Sequence, residues 1–126
     1  MASILKINNP TTKRPKILLA PLDWGLGHAT RCIPIIKELL IRKYDIYIAA
    51  EGDQKALLEE EFPFLSFVEL PGYRIKYDKN RAFTLFRLIA GIPKILIRVK
   101  EENRWLQQFL EKEGVDIVIS DNRYGL

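Results

Sequence analysis

The chain's single histidine stands beside two glycines in a segment whose pattern could bind an anion. An apolar run, Ile17 to Leu22, leads to Gly25, Leu26, Gly27 and His28, and a helical pattern follows at once. Glycines that join a strand to a helix let backbone N–H groups approach a ligand, and the helix dipole favours negative charge there. Histidine changes charge near neutral pH. The segment therefore predicts an anion site with His28 as a candidate proton acceptor.

Further polar side chains are expected near this segment. Thr30 and Arg31 fall in the first turn of the predicted helix, beside the anion site. Asp121, Asn122 and Arg123 follow the last apolar run, and Asp121 is a second candidate base. Plainer interpretations stay open for each group: a histidine that only bonds its own loop, Arg31 as a surface charge, and a solvated strand end with an aspartate cap.

The apolar pattern predicts strands and helices that would bring both groups to one edge of a sheet. Strands are expected at 17–22, 45–50, 65–70 and 115–120, and helices at 29–42, 53–61 and 80–112, the last broken or kinked by a proline at position 93. Continuous apolar strands separated by helices favour an α/β, Rossmann-like parallel sheet in the order 3-2-1-4. Ligands then bind beyond the carboxyl ends of the first and fourth strands.

The chain divides into a polar leader, residues 1–15, and one domain over residues 16–126. Ser3 to Ile7 could add a short edge strand. The last strand is followed by only a few residues, so we expect a fragment, or the first half of something larger. An exposed edge at Val115–Ser120 would favour self-association, which makes a homo-oligomer one expected partner state.

Two plainer accounts of the glycines remain open. A dinucleotide fingerprint needs a third glycine where Thr30 stands, although Glu51 could supply its acidic residue. Alternatively, the glycines only make a tight turn between strand and helix.

Composition restricts the class of protein further. Hydrophobic residues make up 48% and charged residues 29%, which is ordinary for a globular domain. The sequence contains neither a long uncharged apolar stretch nor a secretory leader, and its lone cysteine, Cys32, excludes an internal disulfide. We therefore expect a cytoplasmic protein, with Cys32 packed inside or, alternatively, reactive.

The segment Asp23 to Arg31, together with Ser120 to Gly125, resembles the N-terminal domain of GT-B glycosyltransferases, most closely the MurG-like proteins. Gly27 and His28 match the end of the family's glycine-rich loop, while Asp23 and Trp24 depart from it. The resemblance implies the incomplete N-terminal, acceptor-binding half of a two-domain fold. The intact protein would transfer a hexosyl group, expected to be N-acetylglucosaminyl, from a UDP-sugar to a lipid-linked or cell-envelope glycan.

The resemblance also implies roles for the candidate residues. His28 or Asp121 would act on the acceptor hydroxyl, and Asn122 and Arg123 would contact sugar or phosphate. We expect no cofactor beyond the UDP-sugar donor and no metal, because no clustered Asp-x-Asp occurs. The fragment alone would be inactive. The alternatives are a sugar-nucleotide epimerase of the same architecture and a non-catalytic module that binds a phosphorylated ligand or a partner.

A basic and apolar segment precedes the last strand. Between residues 74 and 104, nine lysines and arginines stand against three acidic residues. Such a segment suits an anionic membrane surface, so we expect peripheral contact with the inner face of the cytoplasmic membrane. The expected contact residues are Arg74, Lys76, Arg87, Lys94 and Arg98. Ordinary core packing and an oligomer interface are the alternatives. Nucleic acid is not expected, because no recognition motif is present.

Overall fold

The fold is known from a computed structural model, which describes residues 2–6, 14–22, 25–70 and 81–121. These residues form five strands and three helices. The strands are β1 (Ala2–Lys6), β2 (Lys16–Ala20), β3 (Asp45–Ala49), β4 (Ser66–Val68) and β5 (Ile117–Asp121), and the helices are α1 (Leu26–Ile41), α2 (Gly52–Glu61) and α3 (Arg81–Glu113).

The strands join in one sheet with the order β1-β5-β2-β3-β4. From β5 to β4 all neighbours are parallel, with Ile17 opposite Ile46 and Leu19 opposite Ile119. This is the predicted α/β, Rossmann-like sheet in the order 3-2-1-4. The change of direction along the sheet falls between β2 and β5, so the carboxyl ends of these two strands flank the ligand crevice typical of such folds.

β1 adds an antiparallel strand outside β5, as the leader pattern suggested. Ile4 pairs with Ile119, and Ala2 pairs with Asp121. The expectation that the last strand leaves its edge exposed is therefore wrong, because β1 occupies that edge.

The core lies on both faces of the sheet. On one face, α1 and α2 cover the strands with a cluster that includes Cys32, Ile36, Ile48 and Leu58. On the other face, Leu18 and Val118 pack with Leu106 of α3. Strands covered on both faces are uniformly apolar, which explains the runs without alternation in the sequence.

Two predicted helix boundaries are wrong. α1 begins at Leu26 rather than at Ala29, so His28 lies in the first helical turn and not in the loop before it. α2 begins at Gly52 rather than at position 53, and Glu51 occupies its N-cap position.

α3 is one helix of 33 residues with Pro93 inside it, not two helices. At 1.5 Å per residue it is about 50 Å long, whereas a five-residue strand spans only about 17 Å. The sheet therefore covers only part of the helix. The covered part is the carboxyl-terminal half, where Trp105 and Phe109 stack at 5.0 Å and Lys16 of β2 donates to the backbone oxygen of Glu113 at 2.8 Å.

Candidate functional site

The start of α1 depends on a glycine conformation. Gly25 occupies the N-cap position with φ of +90°, and no side chain caps the helix. A side chain at position 25 would find open space, so the requirement is conformational, since L-residues avoid this part of φ/ψ space. The turn delivers the chain into α1 so that the third helical residue is His28.

His28 meets Asp121 across the sheet edge. Its Nδ1 lies 2.7 Å from Asp121 Oδ2, and the two residues are 93 positions apart in the sequence. Both side chains are largely shielded from solvent, at 18% and 14% exposure. Because β2 and β5 are parallel neighbours, with Ala20 opposite Ser120, the residue that ends β5 and the helix that follows β2 lie at the same edge.

Arg31 completes the cluster from the same helix. Its Nη2 lies 3.2 Å from Asp121 Oδ2 and 2.7 Å from His28 Nδ1. Nδ1 cannot donate to the carboxylate and accept from the guanidinium at once, so the proton must be assigned. With Nδ1–H and Nη2–H both donating to Asp121, the carboxylate accepts two hydrogen bonds, and the 2.7 Å approach of Nη2 to Nδ1 is a close contact between two donors, not a third hydrogen bond. We assign that arrangement.

This assignment has a chemical consequence. When Nδ1 carries the proton and donates it to Asp121, the lone pair of His28 lies on Nε2. Asp121 then fixes the tautomer and would stabilise the imidazolium that forms when Nε2 takes a proton. Arg31, whose side chain is 63% exposed, adds a positive charge at the solvent side of the pair.

A cavity of about 370 Å³ adjoins the cluster. Arg31 and Asp121 contribute its charged groups, and the rest of the lining comes from α1 and from the carboxyl ends of β2 and β5: Leu19, Ala20, Cys32, Ile35 and Ile119. An apolar wall with a few convergent polar groups is the usual composition of a small-molecule site.

Cys32 belongs to the wall of this cavity and is an unreactive thiol. Burial raises its pKa from 9.0 to about 11, and the negative charge of Asp121 acts in the same direction, while Arg31 opposes both. The thiol is therefore protonated at neutral pH, and thiolate chemistry needs the other form. The packing interpretation of Cys32 fits this environment better than the reactive one.

The predicted residues have different places in the structure. His28, Arg31 and Asp121 form one cluster. Thr30 is exposed, and its hydroxyl donates to the backbone oxygen of Gly27 at 2.9 Å, which supports the first turn. Asn122 and Arg123 lie outside the described residues. Leu26 and Gly27 are exposed in the first turn.

The expected membrane residues are only partly described. Arg74 and Lys76 lie outside the described residues, and Arg87 is described in its backbone alone. Lys94 and Arg98 are exposed on α3, where an Arg98 nitrogen lies 3.5 Å from a carboxylate oxygen of Glu101. No described helix has the length and apolar character needed to span a bilayer.

The same part of α3 carries an exposed apolar set, which we call the α3 stripe. Its members are between 50% and 71% exposed: Leu85, Phe86, Ile89, Ile92, Leu96 and Ile97. Most recur at spacings of three and four, which places them on one side of the helix. Large apolar groups collected in this way on a surface mark an interaction site.

Sequence reasoning missed Gln54. This residue of α2 is buried, and its amide bonds the chain segment that leads into α1. Nothing in the local pattern around position 54 distinguishes it from a surface glutamine. No group of three or more His, Cys, Asp or Glu suited to a metal ion occurs within the described ranges.

One comparison with known proteins found a similar protein. The chain is 30% identical over 116 residues to a protein of Methanosarcina mazei named an uncharacterized glycosyltransferase. The match covers 86% of this chain but only 28% of that protein. No family model matches, and no solved structure matches. The chain is thus similar to one segment of a glycosyltransferase, and it spans about a quarter of that relative's length.

Proposed function

We propose that this chain is the acceptor-binding, N-terminal domain of a GT-B glycosyltransferase and that His28 is its general base. The observation that carries the proposal is the 2.7 Å contact between His28 Nδ1 and Asp121 Oδ2 at the switch point of the sheet. Similarity to a glycosyltransferase supports the reaction class. The combination of a base oriented by a carboxylate with an adjoining cavity suits the activation of a hydroxyl.

The proton and bond changes follow from that arrangement. An acceptor hydroxyl beside the cluster gives its proton to His28 Nε2 while its oxygen attacks the anomeric carbon of the donor sugar. The bond from that carbon to the donor phosphate breaks, and the nucleoside diphosphate leaves with the electron pair. Asp121 stabilises the imidazolium that results. Proton transfer by a positioned side chain contributes about 10²- to 10⁴-fold to such a rate.

The leaving diphosphate also needs stabilisation. The amino-terminal end of α1 presents backbone N–H groups, and its first turn contains no acidic residue to compete with a bound anion. Arg31 lies in the second turn with its guanidinium exposed. These groups can stabilise negative charge that develops beside His28.

The donor, the transferred group and the acceptor are assigned from the resemblance of the Asp23–Arg31 and Ser120–Gly125 segments to MurG-like proteins. On that basis the donor is a UDP-sugar, the transferred group is a hexosyl such as N-acetylglucosaminyl, and the acceptor is a lipid-linked or cell-envelope glycan. No cofactor or metal is assigned.

The α3 stripe supports contact with an anionic membrane, as a lipid-linked acceptor requires. The carboxyl-terminal half of α3 ends at the amino edge of the parallel sheet, beside Lys16. The amino-terminal half therefore extends past the carboxyl edge, where His28 and Asp121 lie. Apolar side chains with Lys94 and Arg98 nearby fit the interface of an anionic bilayer.

A transfer assay on the native protein tests the proposal. The protein is captured from its source cells with an antibody to this segment, its intact mass is measured, and UDP-sugars are screened with a lipid extract from the same cells. We expect UDP release that depends on acceptor, and loss of about 10²- to 10⁴-fold in kcat in the His28→Ala variant of the same full-length protein.

The control is Lys37→Ala, which changes an exposed residue of α1 that pairs with Glu61. Its kcat should equal that of the unchanged protein. An active transferase in which His28→Ala keeps its full rate would contradict the assigned base. A nucleotide sugar epimerised with no acceptor-linked product would favour the epimerase alternative, and phospho-ligand binding without turnover would favour the binding module.

A further inference from the structure

A buried amide on α2 reaches the chain segment that begins α1. Gln54 is only 3% exposed. Its Nε2 donates one hydrogen bond to the backbone oxygen of Leu22 at 2.7 Å and another to that of Gly25 at 2.8 Å. One side-chain NH₂ thus holds two carbonyls on either side of residues 23 and 24.

These bonds supply what the local sequence lacks. Leu22 lies beyond the end of β2, where a buried carbonyl needs a partner from outside the sheet. Gly25 has no side chain with which to cap α1. Its φ is +90°, and because a glycine can adopt many other backbone conformations, the residue by itself does not fix where the helix begins. The position of the helix start is therefore fixed from α2, 29 residues away in sequence.

His28 follows Gly25 by three residues, less than one helical turn. A displacement of the helix start consequently moves the imidazole, whose contact with Asp121 is only 2.7 Å long and joins two different elements. Leu58, four residues after Gln54 on α2, packs in the same core as Ala29 and Cys32 of α1. Apolar packing holds the two helices together, and the Gln54 amide sets where α1 begins.

We propose that Gln54 is a positioning residue for His28: its two hydrogen bonds fix the backbone carbonyls of Leu22 and Gly25, and with them the start of α1, so that the imidazole meets Asp121. The residue acts through the backbone and touches neither substrate nor reacting atoms. Its effect on catalysis rests on the function proposed above, whereas its effect on the imidazole does not.

The test uses the single histidine as a reporter. The 126-residue chain is labelled with ¹⁵N-histidine, and the two imidazole nitrogens are observed by NMR at a pH where the ring is neutral. The unchanged chain should show the Nδ1–H form. Gln54→Leu keeps the size of the side chain and removes both donors, and we expect it to lose that signal in favour of a mixture of tautomers.

Gln108→Leu is the matched control, since Gln108 is exposed on α3. It should leave the imidazole signals unchanged. Gln54→Lys is the rescue variant, because its ammonium group, one bond farther from the backbone than the amide nitrogen, can donate to both carbonyls. It should restore the Nδ1–H form at least in part.

The outcomes separate positioning from general stability. A folded Gln54→Leu chain with unchanged imidazole signals overturns the proposal. So does a folded Gln54→Lys chain that lacks the Nδ1–H form. If Gln54→Leu does not fold, the imidazole signals of Gln54→Lys decide. If neither variant folds, Gln54 is a core element and the proposal is rejected.

A kinetic test depends on the proposed function. In the active transferase, Gln54→Leu should lower kcat by about 10²-fold with little change in KM. If no transferase activity is found, the proposed function fails and the NMR result still stands.

Discussion

The His28 cluster and the α3 stripe belong to the same end of the sheet, but their side chains are stabilised in opposite ways. In the cluster, the side chains of His28 and Arg31 both contact the carboxylate of Asp121, and His28 and Asp121 are shielded from solvent. In the stripe, apolar side chains are at least half exposed. The comparison teaches that the polar side chains of the cluster are held by contacts inside the domain, whereas the exposed apolar side chains of the stripe are suited to contacts with something outside it.

The largest expected effect concerns the cluster. Asp121→Asn replaces the carboxylate by an amide that cannot hold the Nδ1–H form with the same charge, so kcat of the transferase should fall by about 10²- to 10³-fold. The ¹⁵N signals of His28 should move toward the Nε2–H form. Steady-state kinetics and NMR measure these two effects.

The control for Asp121→Asn is a second aspartate, Asp116, which immediately precedes β5. Asp116 accepts a hydrogen bond from the backbone N–H of Lys16 at 2.9 Å, at the opposite edge of the sheet. Asp116→Asn keeps an acceptor oxygen there and should not alter kcat. Equal losses in the two variants would show that Asp121 acts through stability rather than through His28.

The next effect separates the two halves of α3. Leu106 is 3% exposed and Leu96 is 58% exposed. Leu106→Ala should lower the free energy of unfolding by about 2–4 kcal/mol, because it leaves a cavity against Leu18 and Val118. Leu96→Ala should change it by less than about 0.5 kcal/mol. Urea denaturation measures both.

A large loss of unfolding free energy in Leu96→Ala would contradict the contrast between the buried cluster and the exposed α3 stripe. It would mean that the α3 stripe is covered in solution, and analytical ultracentrifugation of the unchanged chain would then be expected to show self-association.

A smaller effect tests what the stripe contacts. The double variant Lys94→Gln, Arg98→Gln should bind vesicles of anionic lipid about thirtyfold more weakly at low salt, since each of the two cations near such a surface contributes about 1 kcal/mol. Vesicle sedimentation measures the binding. The matched control is Lys37→Gln, Arg42→Gln, which changes an exposed residue of α1 and the exposed C-cap residue that follows it. Equal weakening in both doubles would indicate only non-specific attraction.

The smallest effect concerns the wall of the cavity. The pKa of Cys32 is about 11 in the folded chain against 9.0 for a free thiol. The folded state keeps its proton where the unfolded state has lost it, so the contribution to stability is present below pH 9 and is lost as pH rises from 9 to 11. At pH 10 the loss is about 1 kcal/mol.

Comparison with Cys32→Ala isolates that contribution from the lysines and tyrosines that titrate in the same range. The gap in unfolding free energy between the two proteins should be constant from pH 7 to 8 and should narrow by pH 10. A gap that stays constant throughout would show that the thiol is not buried as the structure has it.

The sequence predicted the sheet well because buried parallel strands have a distinctive composition. Runs such as Ile17 to Leu22 are apolar without alternation, and this pattern alone indicated strands covered on both faces. The helix boundaries were less predictable. α1 starts at Leu26 because Gly25 adopts a positive φ and is held by a side chain of α2, and neither fact is visible near position 25.

What the sequence by itself determined was the strand order and the edge at which His28 and Asp121 would lie. Chain connectivity and the handedness of crossovers leave few arrangements for alternating strands and helices. Only the tertiary structure decided that His28 contacts Asp121 at 2.7 Å, that Arg31 joins them, that Gln54 holds the helix start, and that half of α3 extends beyond the sheet. The contacts among them join residues 29 to 93 positions apart, and distances between such residues are set by packing, which local patterns do not encode.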